Sequence, residues 1–134
     1  MELEEFKVYQ KAMDIAEKCW NHVIVWDFFA KDTVGKQLVK AVDSIAANLS
    51  EGFGRYHYRE AKNFSYYSRG SLYETRTWLK KAVNRDLLKM KDYSSIDEEL
   101  KDINVRLNNY IRSIGKSTEN RVSETDDDYF LNQE

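Results

Sequence analysis

Apolar residues recur at Leu3, Phe6, Tyr9, Met13, Ala16, Trp20 and Val23, a spacing of three and four that lines one face of an α-helix. This predicts a first helix that ends near Phe28. The same helix carries a second stripe, Val8, Ala12, Ile15, Cys19, His22 and Trp26, so two of its faces ask for cover. Packing on two neighbours of one bundle would satisfy that demand, and so would a subunit interface. The large aromatics Trp20, Trp26, Phe28 and Phe29, clustered at the helix end, are the candidates for an oligomer interface.

A second helix is expected after an Asp32-Thr33 cap. Its stripe reads Val34, Leu38, Val42, Ile45 and Leu49, and it stops at Gly52-Phe53-Gly54 in a left-handed cap. A longer third helix has Ala61, Phe64, Ser68, Ser71, Leu72, Thr75, Leu79 and Ala82 on its core face, small in the middle where a neighbouring backbone can come close. Ser95-Ile96-Asp97-Glu98 has the spacing of a capping box. Leu100, Ile103, Leu107, Ile111 and Ile114 follow it, and Gly115 supplies the stop. Four amphipathic helices with short connections predict an all-α, antiparallel up-down-up-down four-helix bundle over residues 1–116, with an acidic C-terminal tail over 117–134. In that tail Tyr129-Phe130-Leu131 is an apolar triplet that either docks or stays solvated.

Composition sharpens this picture. A chain of 134 residues without proline and with five glycines permits long unbroken helices in one domain. No run approaches the roughly 20 apolar residues of a membrane span, and the acidic start Met1-Glu2-Leu3-Glu4-Glu5 lacks the basic opening of a signal peptide. A cytoplasmic protein with no membrane partner is expected. Cys19 is the single cysteine, so neither a disulfide framework nor a cysteine-based zinc site is available. The two histidines, His22 and His57, fall in no H-E-x-x-H or E-x-x-H pattern. Gly52-Phe53-Gly54 follows a helix, where a dinucleotide fold needs a strand. No catalytic residue, metal or cofactor is expected, and the chain reads as a non-enzyme.

The net charge of −2 conceals a division. Residues 117–134 hold six acids and one base, while residues 55–91 hold ten Lys or Arg against Glu60, Glu74 and Asp86. Arg59, Lys62, Tyr66, Arg69, Tyr73, Arg76 and Lys80 succeed one another at alternating steps of three and four, with Arg55 just before them. Cations so placed can follow a phosphate backbone, and interleaved tyrosines can stack on unpaired bases, which suits RNA or single-stranded DNA. A solvated charged face or an intersubunit contact would carry the same pattern, and a protein-docking module with no nucleic-acid role is the alternative function.

Two segments carry a family resemblance. Ser44-Ile45-Ala46-Ala47-Asn48-Leu49-Ser50-Glu51-Gly52-Phe53-Gly54-Arg55 and Arg69-Gly70-Ser71-Leu72-Tyr73-Glu74 resemble the signatures of the four-helix-bundle proteins encoded in intervening sequences of bacterial 23S rRNA genes. Phe6-Lys7-Val8-Tyr9-Gln10-Lys11-Ala12 and Gly35-Lys36-Gln37-Leu38 fit as well, so the likeness runs over roughly residues 6–115. The resemblance implies a homo-oligomer, pentameric in relatives, without cofactor or catalytic residues. The related accessory protein of diversity-generating retroelements is a basic pentamer that binds nucleic acid and partners a reverse transcriptase. Within the signatures, Asn48, Glu51 and Glu74, with Arg55 and Arg69, are candidates for a polar network that sets helix and subunit register. Arg59, Lys62, Arg76 and Lys80 lie outside the signatures and are the stronger candidates for phosphate contact.

Overall fold

The computed structural model describes residues 1–115. Four long helices make up the molecule: α1 Lys7–Val23, α2 Lys36–Phe53, α3 Tyr58–Asn84 and α4 Met90–Ser113, and no strand occurs among the described residues. The acidic segment 117–134 with its Tyr129-Phe130-Leu131 triplet lies outside them. α1 packs on α2 and α4, α2 on α3, and α3 on α4, so helices consecutive in the chain are neighbours in space. Their stripes meet in one core, where Ile15, Leu38, Val42, Ile45, Leu49, Leu72, Leu79, Leu100, Ile103, Leu107 and Ile111 are fully buried. Each such side chain contributes about 1.5–3 kcal/mol by leaving water.

The expected stripes of α2 and α4 are the buried ones, and α1 buries parts of both of its stripes. Val8, Ala12, Ile15 and Cys19 face the core together with Phe6, Ala16 and Val23, while Met13 and Trp20 of the first stripe remain about half exposed. Small Ala12 and Cys19 let α2 and α4 close on α1 along that line.

Helix starts depart from expectation too. α1 ends at Val23, and Phe28 opens the next helical stretch because the Asp27 carboxylate accepts the Ala30 N–H at 3.0 Å. The chain then runs from the turn Phe28–Ala30 through a π-helical stretch, Lys31–Gly35, into α2. Asp32 and Thr33 therefore sit inside a helix, where Thr33 Oγ1 donates to the Phe29 carbonyl at 2.7 Å. α4 likewise begins at Met90, so Ser95 is in its body, and Asp97 faces α3.

The left-handed cap expected after α2 does not form: Gly54 keeps a right-handed φ of −81°. Gly52 is required for another reason, since a Cβ there would lie 3.0 Å from Phe64 Cβ and 3.1 Å from the Ala61 carbonyl, where α2 meets α3. The left-handed stops are Gly115, at φ 71° after α4, and Asp86, at φ 58° in the α3–α4 turn. The small residues on α3 are satisfied hydroxyls. Ser68 Oγ donates across to the Ile45 carbonyl at 2.7 Å, while Ser65 and Thr75 bond within their own helix.

Candidate nucleic-acid interface

The cation and tyrosine stripe of α3 follows the flank where α3 meets α4, and α4 divides it into two parts. In the far half, Asn104 Nδ2 donates to Tyr73 Oη at 3.2 Å, and Lys80 Nζ stands 5.6 Å from the Tyr93 ring centre. Arg76 Nε donates to Asp97 Oδ1 at 2.9 Å and its Nη2 to Oδ2 at 3.5 Å. The Asp97 side chain is only 11% exposed. A two-pronged pair with a nearly buried carboxylate cancels the guanidinium charge and fixes its direction, so Arg76 clamps α3 to α4.

The near half is built differently. Arg69 donates to Asn108 Oδ1 at 2.9 Å, and its guanidinium carbon lies 4.7 Å from the Tyr66 ring centre. The Asn108 amide helps to fix the direction of the guanidinium. Arg59 Nε donates to Tyr58 Oη at 3.3 Å. Lys62, expected among the stronger candidates for phosphate contact, is 3% exposed and so is not presented to a ligand. Arg59, Lys62, Tyr66 and Arg69 are all partnered. Arg55 pairs with Glu51 at 2.9 Å and Glu60 at 3.5 Å and lies over the Phe64 ring. α4 residues Tyr93, Asp97, Asn104 and Asn108 were not singled out as site residues from the sequence, although their spacing of four, seven and four puts them on one face of a helix.

Asn48, Glu51 and Glu74, expected in one polar network, are each seen in a contact within their own stretch of chain. Asn48 donates to the Ser44 carbonyl at 2.9 Å, Glu51 holds Arg55, and Glu74 accepts from Trp78 Nε1 at 3.1 Å, three separate contacts each four residues long. At the other end of α1, Val25, Phe28 and Phe29 are 79%, 78% and 76% exposed, and Trp20 is largely exposed as well. Trp26 instead packs against the core. Phe29 borders an open cleft of about 480 Å³, shared with Asp27, Val34, Arg85 and Leu87.

Two titratable groups on the α1–α2 side are displaced. Burial, then the Asp43 and Glu99 carboxylates, push the Cys19 thiol up to about 12, and burial, then Glu17, raise Asp43 above the usual carboxylate range. Cys19 is thus a buried small hydrophobe with no nucleophilic form near neutral pH. Among the described residues no group of three or more His, Cys, Asp or Glu side chains is placed to hold a metal ion, and no helix is long and apolar enough to cross a membrane.

A sequence-family model described as 23S rRNA-intervening sequence protein matches residues 4–109. The fold is similar to a crystal structure from Bacteroides thetaiotaomicron, a protein with unknown function from the S23 ribosomal protein family. The TM-score is 0.71 at 22% identity, over 79% of this chain and 99% of that one. No curated protein matches the chain.

Proposed function

The chain belongs to the 23S rRNA-intervening sequence protein family, and from that premise we propose a non-enzymatic, cytoplasmic bundle that assembles with copies of itself and contacts RNA or single-stranded DNA. The contact surface is the near half of the α3 flank with Arg55 just before it: Arg55, Arg59, Tyr66 and Arg69, without the buried Lys62. The observation that carries this reading is the division of the stripe. Arg76 is paired with the nearly buried Asp97, whereas the Arg69 guanidinium stands 4.7 Å from the Tyr66 ring centre. A cation fixed beside an aromatic ring serves phosphate and base together. Tyr73, Arg76 and Lys80 serve the fold.

The up-down-up-down order is supported by the interhelical pairs. As α3 is followed from Arg69 through Tyr73 and Arg76 to Lys80, its α4 partners descend from Asn108 through Asn104 and Asp97 to Tyr93. Lys11 and Lys18 on α1 meet Asp102 and Glu99 in the same reversed sense. Self-assembly is supported by the exposed Val25, Phe28 and Phe29, a patch that association would cover; the family resemblance implies a pentamer. The same patch favours a second reading, docking of a different protein, which would survive high salt and depend on the phenylalanines.

Photocrosslinking tests the site. When a 5-bromouridine-containing RNA is irradiated with the full chain, crosslinked peptides should fall within residues 55–69. Crosslinks restricted to the Phe28–Phe29 end would contradict the assignment.

A further inference from the structure

We infer that the cleft between the α1–α2 connection and the α3–α4 turn binds a small zwitterion with an apolar body, such as an apolar amino acid. The cleft encloses about 480 Å³, within the roughly 300–1,000 Å³ of small-molecule sites. Its apolar lining is Phe29, Ala30, Val34 and Leu87, and it holds one charge of each sign, Asp27 and Arg85. Among the described residues no ion pair joins those two, and the Arg85 side chain has no hydrogen bond or ion pair. A guanidinium takes a carboxylate two-pronged and a carboxylate takes an ammonium, so a zwitterion leaves neither charge of the cleft uncompensated. A purely anionic ligand would meet Asp27, and a purely cationic one Arg85. Of this lining only Phe29 belongs to the exposed patch assigned above to assembly, so the site does not rest on that assignment.

Both walls are held before any ligand arrives. On one side Asp27 Oδ1 accepts the Ala30 N–H at 3.0 Å, and Thr33 Oγ1 donates to the Phe29 carbonyl at 2.7 Å. Thr33 and Val34 belong to the π-helical stretch Lys31–Gly35, a rare conformation that concentrates at functional sites. On the other side α3 ends in a Schellman closure. With Asp86 left-handed at φ 58°, its N–H donates to the Val83 carbonyl at 3.1 Å and the Leu87 N–H to the Ala82 carbonyl at 2.8 Å. That closure turns Leu87 onto the core and leaves Arg85 exposed. A ligand therefore binds without first having to order the walls.

The test is a titration of the isotope-labelled full chain, followed by its backbone amide signals. L-phenylalanine should shift the signals of residues 27–35 and 85–88 saturably. Phenylpropanoate and phenethylamine, which each keep one charge, and glycine, which lacks the apolar body, should bind about tenfold more weakly. Arg85→Gln, at an exposed position, and Asp27→Asn, which keeps a capping side chain, should each weaken phenylalanine binding about tenfold while signals away from the cleft stay in place. No saturable shift at the cleft, or unchanged affinity in either folded variant, overturns the inference. Phenylpropanoate or phenethylamine binding as tightly as phenylalanine overturns the zwitterion.

Discussion

The Cys19 thiol shows how burial at one position becomes a property of the whole chain. Its ordinary value is 9.0, and burial first, then Asp43 and Glu99, raise it to about 12. The folded chain therefore holds a proton that the unfolded chain releases above pH 9, so this group favours folding fully below that pH and progressively less above it. Stability is expected to fall by about 1.4 kcal/mol per pH unit through that window. Cys19→Ala should remove this slope, as read by denaturant unfolding from pH 8 to 10.5. An identical slope in both proteins would refute the assignment. Arg76 makes a second residue-scale case. Arg76→Ala leaves the nearly buried Asp97 without its main donor and should cost about 1–3 kcal/mol, whereas Arg76→Met with Asp97→Leu should recover most of that. That the stripe holds cations was legible in the sequence. That Asp97 pairs with Arg76 and Asn108 accepts from Arg69 was not, because those partners lie on another helix and meet only once the bundle closes.

Among the elements, the periodic stripes of α2 and α4 were legible because a period near 3.6 is a property of the chain alone. Helix starts were less so. Asp32-Thr33 and Ser95 have capping side chains, yet the helices begin upstream of both, at Asp27 and Lys89, because a capping side chain does not stop a helix already propagating. That Met13 and Trp20 stay exposed while Phe6, Ala16 and Val23 of the same α1 stripe are buried has a related origin, since burial depends on where α2 and α4 stand. Two glycines give opposite predictions at this scale. A Cβ on Gly70, in the middle of α3, meets nothing within 4 Å, so Gly70→Ala should stabilise the folded chain by about 1 kcal/mol. Gly52→Ala pushes against Phe64 and the Ala61 carbonyl and should destabilise it by about 1–3 kcal/mol. Thermal unfolding of both variants checks the pair.

Among the described residues, the bundle carries an apolar end and a basic flank on different surfaces, so the proposed assembly and the proposed nucleic-acid contact can be tested separately. Phe28→Ser with Phe29→Ser should lower the assembled mass in solution while leaving the helical signal intact. An unchanged mass would move the interface elsewhere. The central claim is that the near half of α3 bears the phosphate contacts, and the most direct test is anisotropy of a labelled structured RNA across a series of salt concentrations. The triple variant Arg55→Gln, Arg59→Gln, Arg69→Gln would be compared with Lys80→Gln. The wild-type logarithmic slope should flatten by about 2 in the triple variant, roughly 0.7–0.9 for each phosphate contact removed, and stay unchanged in Lys80→Gln. Equal slopes for wild type and triple variant, from protein of intact mass, would contradict the account.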